Sequence, residues 1–307
     1  MTEEESVVRV ENLTVRYGGT TACDRVSFAV PRGSVYALLG RNGAGKSSLV
    51  RCALGQQKPQ SGGVVLFGKP VWSRRAEVMR KVGVVPEEPD APQEMTAAQL
   101  AAFCAPLYPS WDREAFSTRL RRFEIPADRP FRSLSKGQKG MLMFALAFSP
   151  HPELLVLDDP TLGLDAVARR SIFEDLVGDL ADRAPAVLIA THDLGGIEGI
   201  ADRVGILESG RLRLDMGMEQ LKSRYRKLRF CREPASPDGT GSRELVALGA
   251  SDARETGFGF EAVLAAYEES AFARFRSVPG VLDAQVEPMS LEEIVVATAT
   301  RNEGETL

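Results

Sequence analysis

GRNGAGKSS, residues 40–48, follows the apolar run VYALL (35–39) and opens the helical stretch KSSLVRCAL (46–54), which Gly55 can end. Its spacing is G-x-x-x-x-G-K-[ST], the P-loop pattern. Gly40, Gly43 and Gly45 permit backbone conformations closed to other residues, so successive N–H groups can point into one concavity. A helix N-terminus aimed at that concavity adds partial positive charge. Lys46 then supplies a full charge for the β- and γ-phosphates of a nucleotide, and Ser47 a hydroxyl for Mg²⁺. A glycine-rich turn that merely capped a helix would leave Lys46 and the third glycine without a reason. The expected cradle is Gly40, Arg41, Asn42, Gly43, Ala44, Gly45, Lys46, Ser47 and Ser48.

Upstream of the cradle, VVRVENLTVRY (7–17), DRVSFAV (24–30) and VYALLG (35–40) read as strands separated by glycine and proline punctuation. Downstream, the short apolar runs VVLF (64–67), VGVV (82–85), LLVL (154–157), AVLIA (186–190) and VGIL (204–207) alternate with helical stretches. That alternation predicts an α/β fold with a largely parallel sheet. A helical insertion is expected over about 88–150. Thr96 with Gln99 makes a capping box, Asp112 can cap the helix at 113–123, Ser135 can cap the helix at 136–148, and Phe116, Leu120 and Phe123 share one helical face. Near residue 222 the pattern breaks. REPASPDGTGS (232–242) is turn-rich, and the tail reads as a small α+β unit whose last helix is SLEEIVVATA (290–299). The expected division is 1–221 and 222–307.

The chain has 307 residues, 44% hydrophobic and 26% charged, which is enough apolar material for a large core. Four scattered cysteines form no CxxC pair, so neither a disulfide framework nor a zinc site is indicated and a reducing cytoplasm fits. A net charge of -4 gives no global field for nucleic acid, and none is expected as a partner. The basic run LKSRYRKLR (221–229) reads as a solvated face. MTEEES is acidic where a secretory signal would be basic and then apolar. No apolar run approaches the roughly 20 residues of a membrane-crossing helix. Action on a membrane would require another chain.

LLVLDDPTLGLD (154–165) ends an apolar strand on two adjacent acids. Asp158 is placed to hold Mg²⁺ or its waters, a role that outweighs a simple strand-end turn before Pro160. LSKGQKG (134–140) then resembles the LSGGQ signature of the ATPase subunits of ATP-binding cassette (ABC) transporters. The order of the other motifs agrees over about residues 7–220. Tyr17 takes the place of the A-loop aromatic, VPEE (85–88) the Q-loop, LLVLDD Walker B, GLD (163–165) the D-loop, and His192 in LIATHDL the H-loop.

The resemblance implies an ABC-type P-loop NTPase fold: an antiparallel β subdomain, a RecA-like parallel core and the helical subdomain. It implies ATP and Mg²⁺ as cofactors, with Tyr17 stacked on adenine and Ser47, Asp158 and Glu87 around the metal. Lys46, Asp159 and His192 would be the catalytic residues, His192 as a γ-phosphate sensor. Two cassettes would pack head to tail, so that Ser135, Lys136, Gly137 and Gln138 of one close over ATP held by the other, with Gly163, Leu164 and Asp165 at the seam. Asp165 is also a good helix N-cap whatever its function. The implied partners are a separate transmembrane permease and a second ABC ATPase subunit, a homodimer ahead of a heterodimer. The implied location is cytoplasmic, peripheral on the inner face of the membrane. The end of the tail, VEPMSLEEIVVATATR (286–301), resembles that of ATPases serving exporter-type (ABC-2-like) bacterial permeases.

Three positions depart from the family pattern. Asp159 stands where most members carry Glu. The missing methylene shortens its reach by roughly 1 Å, a scale of misplacement that can cost about a hundredfold in rate. On reach alone, slow turnover is expected, faster with Glu. Glu87 replaces Gln and, with Glu88 and Asp90, makes the Q-loop acidic, which fits either a basic partner helix or a solvated turn. Lys136 replaces the first signature glycine and either favours ATP-bound closure or points to solvent. Two rivals accompany the transporter reading: a regulatory, slowly hydrolysing subunit paired with an active one, and a soluble ABC ATPase acting on ribosomes or nucleic acid. P-loop kinases and GTPases have no use for LSKGQ or His192.

Overall fold

The computed structural model describes residues 6–233, 245–246, 248–256 and 259–300. Residues 1–5 of the acidic opening, most of the turn-rich 232–242 and residue 301 lie outside the described residues. The chain divides into two compact units, Met1–Asp215 and Met216–Leu307.

In the first unit, β1 (Ser6–Tyr17) and β2 (Thr20–Pro31) form an antiparallel hairpin, followed by β3 (Val35–Leu39) and α1 (Lys46–Ala53). Next come β4 (Ser61–Leu66), β5 (Lys69–Pro70), α2 (Val71–Val78) and β6 (Val82–Val85). Helices α3 (Ala97–Cys104), α4 (Arg113–Arg122) and α5 (Lys136–Phe148) precede β7 (Leu154–Asp158). The unit ends with α6 (Ala166–Arg183), β8 (Ala186–Thr191), β9 (Arg203–Glu208) and β10 (Arg211–Gly217), whose last residues pass the boundary.

Two sheets result, ordered β2-β1-β4-β5 and β10-β9-β3-β8-β7-β6. In the second, β9, β3, β8, β7 and β6 run parallel. Every residue of β3, β7 and β8 is buried, which is why these strands read as continuous apolar runs rather than alternating ones. One expectation is corrected. VVLF belongs not to the parallel sheet but to the antiparallel one, where Val64 and Leu66 pair with Val10 and Val8 of β1. Both sheets bury side chains in one core, which includes Val10, Leu13, Tyr36, Leu38, Leu49, Leu66, Val156 and Leu188.

The helical insertion has the expected caps. Thr96 and Gln99, and Ser135 and Gln138, form complete capping boxes, and Asp112 accepts from the N–H groups of Glu114 and Ala115. Phe116, Leu120 and Phe123 are buried. Buried Arg119 ties α4 to α6: Nε donates to Asp175 Oδ2 at 2.7 Å and Nη2 to Asp179 Oδ1 at 2.9 Å. Burial raises the pKa of Asp179, so its charge depends on the guanidinium.

The second unit carries α7 (Met218–Arg224), β11 (Arg226–Arg232), β12 (Ala250–Thr256), β13 (Gly259–Leu264), α8 (Glu269–Arg276), β14 (Val281–Pro288) and α9 (Leu291–Thr300). Its antiparallel sheet is ordered β12-β13-β11-β14 and packs on its own core, including Leu228, Phe230, Leu264, Phe272 and Phe275. Helix α7 straddles the expected division at 221/222 and lies within this unit.

Removing one partner of a buried ion pair leaves the others uncompensated. Arg119→Ala is therefore expected to destabilise the first unit by about 3 kcal/mol in urea unfolding. Adding Asp175→Asn and Asp179→Asn to Arg119→Ala should recover part of that loss.

Candidate active site

Strand register builds the site. Leu39 pairs with Thr191 across β3 and β8, Ala190 with Asp158 across β8 and β7, and Leu157 with Val85 across β7 and β6. The four strands therefore end on one edge. The segments leaving them carry the P-loop, His192, Asp159 and Glu87, in the crevice where open parallel sheets bind ligands.

The loop at 40–45 is held from below. Gly45 has φ +109° and a Cβ there would come within 2.1 Å of Ala22 O on β2, so only glycine fits. Gly45 caps α1 without any side-chain hydrogen bond, leaving the first-turn N–H groups for another acceptor. Lys46 is only 5% exposed, and its Nζ donates to Gly40 O at 2.8 Å. The buried ammonium thus folds back over its own loop and meets carbonyls, not a carboxylate. Tyr17, 45% exposed, donates its hydroxyl to Gln57 Oε1 and can accept from Ser48 Oγ at 3.3 Å, which sets its ring beside the start of α1.

The two acids of Walker B differ sharply. Asp158 is buried and its Oδ1 has no hydrogen-bond partner. Burial, then Glu87 and Asp159, push its pKa up to about 6, against the attraction of Lys46 and Arg51. Nearby, Ser47 Oγ donates to Glu87 Oε2 at 3.4 Å. Asp159 takes the left-handed conformation, φ +40°, which Asp tolerates better than most residues, and its N–H donates to Ala190 O at 2.7 Å. Its Oδ1 accepts from Thr191 Oγ1 at 2.7 Å and from the His192 N–H and Nδ1 at 3.0 Å each.

Signature and D-loop meet within the chain. Gly163 has φ +75°, and a Cβ on it would lie 2.7 Å from Lys136 Cε and Nζ, so the lysine side chain lies across the glycine. Leu164 packs toward Gly137 and Gly140. Asp165 Oδ1 accepts from Ala168 N at 2.8 Å and caps α6. Ser135 and Gln138 cap α5, and Gln138 Nε2 also donates to Glu124 O. Among the described residues, no hydrogen bond or ion pair joins 135–138 to 40–48.

Sequence reading passed over three contributors. Thr191, 1% exposed, lies between the apolar run 186–190 and His192 and was not singled out. Gln57 holds Tyr17. Asp193 Oδ2 accepts from Thr161 Oγ1 at 3.1 Å and pairs with Arg169 at 3.0 Å, tying the D-loop turn to the segment after β8. A polar residue ending an apolar strand beside His192 was the available signal for Thr191.

The sheet order, the P-loop between β3 and α1, and the inserted helices define a P-loop NTPase of cassette type. Residues 23–162 match the ABC transporter family. The ABC transporter ATP-binding protein YtrB of Bacillus subtilis (strain 168) is 30% identical over 224 residues, which cover 73% of this chain and 76% of that one. The bacitracin transport ATP-binding protein BcrA of Bacillus licheniformis is 32% identical over 225 residues, 72% of this chain and 73% of its own. A solved ATP-binding subunit of an ABC transporter gives a TM-score of 0.65 at 28% identity, covering 71% of this chain and 92% of that one. The chain belongs to the ABC transporter ATP-binding proteins. It is an ATP-binding and ATP-hydrolysing subunit of a family whose members dimerise and work with transmembrane permeases. The expected fold and ATPase activity are thereby borne out. Among the described residues, no helix is long and apolar enough to cross a membrane.

The Asp158 shift has a stability consequence. Below 3.8 its carboxyl is neutral folded or unfolded; as pH rises through about 6, the folded chain must ionise a buried group that the unfolded chain ionises at 3.8. Stability of the nucleotide-free chain is expected to fall across that window. Asp158→Asn should remove the fall and raise the thermal midpoint at pH 8 by on the order of 5 °C. Thermal scans from pH 4 to 8 check this.

Proposed function

We propose that this chain binds Mg²⁺-ATP at the strand-end edge of its parallel sheet and drives a separate permease by cleaving ATP at the seam of a cassette dimer. The observation that carries this reading is the pairing of opposites in one crevice: a buried ammonium, Lys46, satisfied only by loop carbonyls, and a buried carboxylate oxygen, Asp158 Oδ1, satisfied by nothing. A polyphosphate with its cation supplies both missing partners.

Asp158, Ser47 and Glu87 offer hard oxygen donors, the set Mg²⁺ accepts alongside phosphate oxygens and water. The ion, when bound, neutralises charge on the β- and γ-phosphates. Lys46 turns from Gly40 O toward the same phosphates, the N–H groups of residues 41–48 line them, and Tyr17 stacks on adenine. Asp159 and His192 stand at the γ-phosphate end.

The second cassette presents Ser135, Lys136 and Gly137 at the N-terminus of α5, so two helix N-termini converge on one polyanion. The side chain of Gln138 braces that turn, and Gly163, Leu164 and Asp165 lie at the seam. Lys136, held across Gly163, brings an additional positive charge to the closing surface. We favour a homodimer on the cytoplasmic face of the membrane, serving an exporter-type permease. The resemblance of the tail to that of ATPases serving exporter-type permeases supports export. The regulatory alternative rests on Asp159 in place of Glu.

Lys46→Ala is expected to weaken Mg²⁺-ATP binding at least tenfold, measured with a fluorescent analogue. Purification from detergent-solubilised host membranes should recover one permease and no second cassette chain. A second cassette chain would favour the regulatory reading, and ribosomes alone would end the transporter reading.

A further inference from the structure

The turn that joins α1 to β4, GQQKPQ (55–60), carries two glutamines whose partners lie at the end of β1. Gly55, φ +61°, ends α1, and the N–H groups of Gln56 and Gln57 return to Arg51 O, so the turn winds back on the helix. Pairing of β4 with β1 stops at Ser61 and Thr14. Gln60 continues it. Its N–H donates to Thr14 O at 2.9 Å, its Nε2 donates to Arg16 O at 3.0 Å, and its Oε1 accepts from Arg16 N at 2.7 Å. A side-chain amide offers a donor and an acceptor as a peptide does, so Gln60 stands in for the strand residue that β4 does not supply. Gln57 then holds the side chain of the next residue: its Oε1 accepts from the Tyr17 hydroxyl, which Ser48 Oγ also meets at 3.3 Å.

Folding has little use for this arrangement. Tyr17 and Gln60 are exposed and Gln57 is half-buried, so water competes for every one of these side-chain hydrogen bonds. An exposed ring that is nevertheless held through both its backbone and its hydroxyl is better explained by what comes to lie on it. We infer that Gln57 and Gln60 are positioning residues for base recognition: Gln60 fixes the backbone that carries Tyr17, and Gln57 fixes the ring. The inference rests on the reading that Tyr17 stacks on adenine. A planar base then meets a platform that is ordered before it arrives.

Avoiding the immobilisation of one aromatic side chain on binding is worth on the order of fivefold in affinity. The gain falls on the base alone. Ser48 lies in the first turn of α1 and Gln57 shortly past its end, so the platform is tied to both ends of the helix that opens at the P-loop. Base and phosphates are thus received by one piece of structure. The Tyr17 hydroxyl, already engaged, is not free to read a base edge, and the contribution of the ring is stacking.

Titration calorimetry of the full-length chain with Mg²⁺-ATP and with Mg²⁺-tripolyphosphate, which carries phosphates and no base, tests this. Gln57→Met keeps the length of the side chain and loses the acceptor; it is expected to weaken Mg²⁺-ATP about fivefold and Mg²⁺-tripolyphosphate by less than about twofold. Gln60→Ala should show the same base-dependent loss. Gln57→Glu keeps an acceptor for the Tyr17 hydroxyl and should bind Mg²⁺-ATP within about twofold of the wild type. Tyr17→Phe keeps the ring and removes the anchor, so in that background Gln57→Met should cost no more than about twofold further. Equal weakening of both ligands by Gln57→Met, no weakening of either, no recovery in Gln57→Glu, or losses that multiply in Tyr17→Phe would overturn the inference and leave the nucleotide site intact. A wild-type chain that binds Mg²⁺-ATP no more tightly than Mg²⁺-tripolyphosphate would overturn the stacking reading with it, and failure to bind Mg²⁺-ATP at all would overturn the site.

Discussion

Parallel pairing in register is the constraint from which the site follows. Because Leu39, Thr191, Asp158 and Val85 fall at one edge of the sheet, four chain segments far apart in sequence emerge side by side. Backbone hydrogen bonds set the spacing between neighbouring strands at about 4.8 Å, so a side chain one or two residues beyond a strand end lands within reach of its neighbour. The antiparallel sheet adds a second restraint through Ala22, whose carbonyl lies against Gly45 and fixes the floor of the cradle.

Within that frame the protein keeps charges it does not match for itself. Buried Lys46 and Asp158 lack ion-pair partners of their own, and at Asp158 burial also pushes the carboxyl up to about 6, a displacement common at working sites. Elsewhere the same chain pairs its buried charges fully, as Arg119 with Asp175 and Asp179 shows. The contrast separates the part of the molecule built for stability from the part built to receive something.

Most of the cassette was legible in the sequence because its signals are local. A glycine pattern between a strand and a helix, caps at Thr96, Asp112, Ser135 and Asp165, and apolar runs ending on acids each need only a few neighbouring residues to interpret. What was not legible depends on pairing across the fold. VVLF has the composition of a parallel core strand and was misplaced because its partner, β1, lies far upstream. The direction of the Asp159 carboxylate depends on a backbone angle and on Thr191 across the neighbouring strand, so the identity of the residue alone pointed to reach, not orientation. The same holds for Lys136, whose resting place on Gly163 no local pattern encodes.

That resting place has a mechanical side. With Lys136 draped over Gly163 and Leu164 seated against Gly137 and Gly140, the head of α5 and the turn before α6 form a single clamp. Asp193, through Thr161 and Arg169, extends the same rigid piece to the neighbourhood of His192. A displacement at the head of α5 would therefore reach the turn before α6 and, through Thr161 and Arg169, the segment beside His192.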